Sequence, residues 1–541
     1  MKKLLCILLS LALLAGCSAA PAGTTQPKEP TGPVQSGTNP DGIAIRLSDE
    51  GVEFPADSGI SIANDIIYYE EGHDASYGEG ERGDAHSAEE AAAHTVVHIS
   101  APGTYVISGK LELGQIAVDL GEDAKKDPGA VVTLILDGID ITCTVAPAII
   151  FYSVYECGDK DNPTANVDTS AAGANVILPE GSVNYVNGSH VAKIYKPGTE
   201  KKLHKYDAAF YSKMSMNVGG EGFLMITADN EGLDSELHLT INGGQIYIKS
   251  GNDGINTNED GVSVTTINGG TLRIDVTGST GEGDGIDSNG WLVINGGNVF
   301  AYACGSSMDS GIDSDMGILI HGGTVVATGN MLDQIEAGSQ THVVFTFAQT
   351  QRGGQWTLKN AKGEAVAQCE APNAFSNLIF SSPALAEGAY TLWSGDTQFQ
   401  GSTGMGGGFG GGMGGFIGGG EIPGRPEWPD RGGADVEIPP QPTNPVVTQG
   451  QVQPPQGQQP ENMPVPDFSE GFAPGQMPGG PAPQGGENMP VPGMPQGVNP
   501  PQGGGFGGQF FPGTVIITGE AVVEFVLTQG ANYFSNVMPV E

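Results

Sequence analysis

From about Ala44 to Gln400 the chain is a succession of short runs in which apolar and polar residues alternate, separated by Gly, Asn and Asp. "TYVISGKLEL", "VVTLILDGIDIT" and "APAIIFYSVY" are rich in Val, Ile and Tyr and carry period two, the mark of strands with one buried face. Long helical periodicity is absent, and "HSAEEAAAH" at 86–94 is the one short stretch that reads as helix. The pattern predicts an all-β fold.

The runs recur. Ile-Asn-Gly-Gly stands at Ile241, Ile267 and Ile294, and Ile-His-Gly-Gly at Ile320, at intervals of 26, 27 and 26 residues. A unit of that length made of short strands and turns is too short for a propeller blade and suits one coil of a parallel β-helix, a solenoid. Acidic turns align in the same frame. With Gly232, Gly254, Gly285 and Gly311 as anchors, the next column is Leu233, Ile255, Ile286 and Ile312, which predicts inward positions. Asp234, Asn256, Asp287 and Asp313 follow, then Ser235, Thr257, Ser288 and Ser314; Glu231, Asp253, Asp284 and Ser310 precede the glycine. After each double glycine, Ile246/Ile248, Leu272/Ile274, Val299/Ala301 and Val325/Ala327 are expected inward, with Tyr247, Arg273, Phe300 and Val326 outward.

Stacking sets equivalent residues about 4.8 Å apart. Carboxylates at that spacing repel unless a cation lies between them, and Ca²⁺ takes oxygen ligands at about 2.3–2.6 Å. The columns therefore predict Ca²⁺ around Asp234, Asp253, Asn256, Asp284, Asp287, Asp313 and Asp315. The competing reading is that Asp and Asn only build side-chain turns. The column Asn242, Asn268, Asn295 reads either as a hydrogen-bonded ladder or as turn residues with unusual backbone angles. The outward residues Tyr247, Lys249, Arg273, Phe300 and Tyr302 are the candidates for touching a sugar, the aromatics through ring faces and the cations through a carboxylate. The opposing reading covers them with another part of the chain.

Composition narrows the partners. With 22 basic and 62 acidic residues, the net charge of −40 argues against nucleic acid. Lys2 and Lys3 precede the apolar run Leu4–Leu14, which is too short to span a membrane and is followed by Leu14-Ala15-Gly16-Cys17. That ending is similar to a bacterial lipobox. Residues 1–17 are thus expected to be a lipoprotein signal peptide, with Cys17 lipidated and the mature chain anchored on the extracellular face of the cell membrane. Residues 18–43 read as a flexible spacer, 44–340 as the β-helix and 341–400 as a small C-terminal β region. Residues 401–511, rich in Gly, Pro, Met and Gln, are expected to be disordered, and 512–541 to alternate like strands again. Cys143, Cys157, Cys304 and Cys369 show no metal spacing; export permits a Cys143–Cys157 disulfide, and buried free thiols are equally open.

"GTYVISGKLELGQIAVDLG", "VVTLILDGIDITC", "DAAFYSKMSMNV", "INGGQIYIKSGNDGINTNEDG" and "SSPALAEGAYTLWSGDTQ" together resemble clostridial-type carbohydrate-binding domain-containing surface proteins. The resemblance covers roughly residues 44–400. It implies a right-handed parallel β-helix shaped like polysaccharide lyases, bound Ca²⁺, and binding of acidic pectin-like or cellulosic polysaccharide. The long Gly/Pro/Met segment departs from that pattern. Three functions stay open: a lipid-anchored, non-catalytic polysaccharide binder; a calcium-dependent lyase with Lys249 or Arg273 as base; and a structural adhesin. Asp284 and Asp287 do not by themselves make a hydrolase pair, because turn geometry accounts for both.

Overall fold

A computed structural model describes residues 42–70, 82–195, 202–404 and 521–540. The leader, Cys17, most of the spacer and the segment expected to be disordered from residue 405 onward lie outside the described residues. Within them the fold is all-β, with one short α-helix, Ala88–Ala92, capped by Ser87, whose Oγ accepts the Glu90 N–H at 3.1 Å, and two short 3-10 turns.

The repeats build three parallel ladders. The first stacks Thr95–Ile99, Gly114–Asp119, Ile149–Ser153, Ala208–Ser212, Glu231–Ser235, Ile255–Thr257 and Ile286–Ser288. The second stacks Ala174–Leu178, Met216–Gly220, His238–Ile241, Val264–Ile267, Trp291–Ile294 and Gly317–Ile320. The third stacks Val183–Gly188, Phe223–Ala228, Gln245–Ser250, Thr271–Val276, Asn298–Tyr302 and Thr324–Gly329. From Glu231 to Tyr302 the chain visits first, second and third ladder in that order three times.

The observed register reproduces the sequence columns. Leu233 pairs with Ile255, Ile255 with Ile286, and Ile286 bridges Ile312, all fully buried. In the third ladder Ile246, Leu272, Val299 and Val325 stand in register inside the core, each at most 1 % exposed. Full burial of one such aliphatic side chain stabilises by about 1.5–3 kcal/mol, and the stack repeats it at every level.

The double glycines follow from the stacking. A Cβ on Gly269 would lie 2.9 Å from the Asn242 carbonyl of the preceding repeat, and one on Gly296 2.6 Å from that of Asn268. The second glycine of each pair, Gly270 or Gly297, has φ near +80° and closes the turn in the left-handed region. The asparagines ahead of them form a ladder. Asn268 Nδ2 donates to Asn242 Oδ1 at 2.9 Å, Asn295 Nδ2 to Asn268 Oδ1 at 2.9 Å, and His321 Nδ1 lies 2.9 Å from Asn295 Oδ1.

Beyond the last repeat the topology changes. Thr324–Gly329 pairs antiparallel with Phe375–Ser381, which opens a C-terminal β unit with its own aromatic core of Phe345, Phe347, Trp356, Phe375, Phe399, Phe525 and Phe534. Ala531–Pro539 pairs with both His342–Gln351 and Thr397–Thr403, so the chain leaves and re-enters this unit on neighbouring strands. The thiols of Cys143, Cys157, Cys304 and Cys369 are free.

Candidate functional site

The outward side of the first ladder carries the acidic columns. Tyr211, Asp234, Asn256 and Asp287 stand in register over one another, and Asp313 follows through the Ile286–Ile312 bridge. Strand alternation forces this: the apolar residue before each of them is inward, so the acid is outward. The acids ahead of the turn glycines tie one repeat to the next. Asp253 Oδ1 accepts the Asp284 N–H at 2.7 Å, and Asp284 Oδ1 accepts the Ser310 N–H at 2.5 Å. One oxygen of each is thereby committed to backbone.

At the N-terminal end of the row this pattern closes into a cluster. Carboxylate oxygens of Asp207, Glu231 and Asp234 lie within 4.8 Å of one another, and all three residues are buried. Glu231 Oε2, both Asp234 oxygens and the Asn256 Oδ1 of the next repeat accept no hydrogen bond. Lys205 Nζ contacts Asp207 Oδ2 and lies 3.6 Å from Glu231 Oε1. Burial alone would lower the Lys205 ammonium, but Glu231 and Asp207 outweigh it and raise it. Three carboxylates against one ammonium leave a formal charge of about −2 when all are ionised.

Six aspartates of the row resist ionisation. Burial, then the neighbouring Glu231, pushes Asp234 well above the usual carboxylate range; burial with Glu231 and Asp284 does the same to Asp253. Asp284 is raised by burial and by Asp313. Asp287 is pushed up to about 7 by burial and Glu231, and Asp313 to about 7 by burial and Asp333. Asp315, exposed at the far end, is raised by burial of its carboxylate and by Asp260. The row thus grades from a closed cluster at Asp207, Glu231 and Asp234 to a half-exposed end at Asp287, Asp313 and Asp315.

Asp207, Lys205 and Asp333 carry no signal that singles them out in the sequence. Asp207 precedes the strand Ala208–Ser212 in "YDAAFYSKM", which lacks the Asp-Gly signature, and it stands one residue before Ala208, the residue that pairs with Glu231, so the columns do not reach it. Asp333 Oδ2 accepts the Ser314 N–H at 3.1 Å from beyond the last recognisable turn.

The second predicted face lies outward on the third ladder. Tyr247, Arg273 and Phe300 share one column, and Lys249, Asp275 and Tyr302 the next. The expectation that all of these face solvent is corrected in part. Phe300 and Tyr302 are fully buried, because the C-terminal β unit packs over them and takes them into its own core. Arg273 lies over the Tyr247 and Tyr302 rings, at 5.5 and 5.1 Å from their centroids, and its guanidinium is bound by Asp275 at 2.9 Å. The Tyr247 hydroxyl donates to the same Asp275 at 2.5 Å. Lys249 is exposed and Tyr247 and Arg273 are half-buried, so these three, and not Phe300 or Tyr302, are reachable.

A family model for carbohydrate-binding domain-containing proteins matches residues 93–365, which takes in all three ladders and the acidic row. The chain belongs to the carbohydrate-binding domain-containing protein family. A carbohydrate-binding domain-containing protein of Acetivibrio thermocellus is 28 % identical over 155 residues, 28 % of this chain and 45 % of the relative. The match thus spans less than half of that relative's length. No solved structure matches this member of the family.

Proposed function

We propose that the protein is a non-catalytic, calcium-containing binder of acidic polysaccharide, built on a right-handed parallel β-helix and held at the cell surface by a lipid on Cys17. The handedness follows the general rule for parallel crossovers. Membership of the carbohydrate-binding family supports the class of ligand. The observation that carries the calcium reading is the buried cluster of Asp207, Glu231 and Asp234, in which Glu231 and Asp234 present oxygens that no donor satisfies.

The donor set fits a hard divalent cation. It is all oxygen, its formal charge of about −2 matches one such ion, and buried carboxylates left bare are costly. Asp207, Glu231, Asp234 and Asn256 would hold the closed site, and Asp287, Asp313 and Asp315 the open one. Bound there, Ca²⁺ would neutralise the row and offer ligand carboxylates a positive partner on an otherwise acidic protein. The Asp253 and Asp284 carboxylates fix the spacing of the repeats through the next backbone N–H.

Two measurements test this reading. The melting temperature is expected to rise by several degrees from chelator to millimolar Ca²⁺, since a ligand of the native state alone stabilises it. Retention on immobilised polygalacturonate is expected in Ca²⁺ and lost in chelator. Equal melting temperatures in both buffers would remove the calcium claim; release of the unsaturated, ultraviolet-absorbing product from polygalacturonate would replace the binder with a lyase.

A further inference from the structure

One repeat before the closed cluster, the same outward face changes from acidic to aromatic and basic. Tyr152 and Tyr206 meet edge to face with ring centroids 5.6 Å apart, and Tyr206 meets Tyr211 in the same way at 5.6 Å. The Lys213 ammonium lies 6.0 Å from the Tyr152 centroid and 5.9 Å from that of Tyr206. Such placement holds a cation against ring faces and stabilises it modestly.

Lys213 has no carboxylate in salt-bridge contact among the described residues, whereas other cations of this acidic surface do. Lys205 contacts Asp207, Arg273 contacts Asp275, Lys110 contacts Glu112, and Lys160 contacts Glu259. Glu236 and Asp119 attract Lys213 from beyond salt-bridge contact, and a second cation, Lys125 from the short 3-10 turn Glu122–Lys126, repels it. Burial and Lys125 together lower the Lys213 ammonium to about 8, and the opposing pull of Glu236 and Asp119 does not restore it. Glu236 is occupied in part by the Tyr211 hydroxyl. Neither lysine has a carboxylate in salt-bridge contact among the described residues, in a chain with 62 acidic residues and 22 basic ones, which leaves room for an external anion as a closer partner than Glu236 or Asp119. Lys213, Lys125 and Tyr152 are all half-buried, so the spot is reachable, while Tyr206 forms its floor.

We propose that Lys213, flanked by Lys125 and backed by the Tyr152 and Tyr206 rings, is the subsite that receives an anionic substituent of a bound sugar. The substituent is a ring-borne carboxylate or sulfate; the tyrosines offer apolar surface to the ring that carries it. The subsite rests on the polysaccharide-binding reading and adds its charge selectivity. Tyr211, fully buried, pairs directly with Asp234 of the next repeat, so the subsite lies one level from the closed acidic cluster.

The test uses the full chain in saturating Ca²⁺, with oligogalacturonate, its fully methyl-esterified form and a sulfated galactan oligosaccharide as probes. Lys213→Gln is expected to weaken the best-bound anionic probe about tenfold, the scale of one charge-assisted contact, and to leave the esterified probe unchanged. Lys213→Arg is expected to recover part of the loss. The anionic probe that loses more affinity identifies the substituent. Unchanged anionic binding in Lys213→Gln, with wild-type protein still binding, overturns the subsite and spares the general function. Wild-type protein that binds none of the three probes overturns both. Should Lys213→Gln not fold, Lys125→Gln on the surface turn takes its place with a smaller expected loss, about threefold, and unchanged anionic binding there overturns the subsite equally.

Discussion

At the residue scale the acidic row is a conflict resolved by protons or by metal. Asp287 and Asp313 bind protons near pH 7 in the fold, but only near pH 4 in an unfolded chain. Between those values the folded state holds more protons, so without metal its stability falls as pH rises. In chelator the melting temperature is therefore expected to be higher at pH 5 than at pH 8, and millimolar Ca²⁺ is expected to remove or reverse that slope. A melting temperature in chelator that climbs across this range would contradict the raised carboxylates. Asp234→Asn separates the two solutions at a single position. It replaces a buried carboxyl that resists ionisation with a neutral amide of the same shape, so the metal-free protein is expected to melt no lower than wild type, while the gain on adding Ca²⁺ shrinks. The Asp234, Asp253, Asp284, Asp287 and Asp313 columns were legible in the sequence because an Asp beside a turn glycine repeats. Asp207 was not, since a lone Asp before "AAFYS" carries no local mark of the cluster that stacking completes.

At the element scale the turns decide whether repeats can stack. Gly270 has φ +80° and a virtual Cβ 2.5 Å from the Gly244 carbonyl oxygen, so an added methyl meets both backbone strain and a rigid neighbour. Gly281 has φ +99° with nothing within 4 Å, so there only the strain applies. Gly270→Ala is expected to cost about 3 kcal/mol or more and Gly281→Ala about 1 kcal/mol, read from denaturant midpoints at constant slope. Equal costs would mean that repeat-to-repeat contact is not what the double glycine serves. Leu272→Ala, deep in the third ladder, is expected to cost about 2–5 kcal/mol. Register was readable because the double glycine and the alternation fix it twice over. What covers a strand was not: alternation places Phe300 and Tyr302 outward from their ladder, and nothing in "NVFAYA" announces that a later β unit packs on that side.

At the scale of the whole molecule, parallel ladders end in open edges, and exposed edges invite pairing with other chains. Here the edge strand Thr324–Gly329 is taken up antiparallel by Phe375–Ser381, and the outward residues above it become core. The last strand, Ala531–Pro539, belongs to this closure although it follows His342–Gln351 by some 180 residues, because it lies parallel to that strand and antiparallel to Thr397–Thr403. Chain exit and return are joined by direct pairing, including Gly401 with Val522, so residues 405–520 are not needed to bring the strands together. Replacing 405–520 with a short Gly/Ser linker is expected to leave the melting temperature within a few degrees of wild type. Ending the chain at Gly404 is expected instead to strip Phe525 and Phe534 from the aromatic core, where they pack on Phe345 at 4.9 and 5.9 Å, and to give an aggregating protein. Calorimetry and size-exclusion of both variants decide it. If the linker variant also aggregates, the replaced segment is part of the closure; if the truncated chain stays monomeric with an unchanged melting temperature, the final strand is dispensable and the covering of Phe300 and Tyr302 must come from His342–Gln351 and Phe375–Ser381 alone.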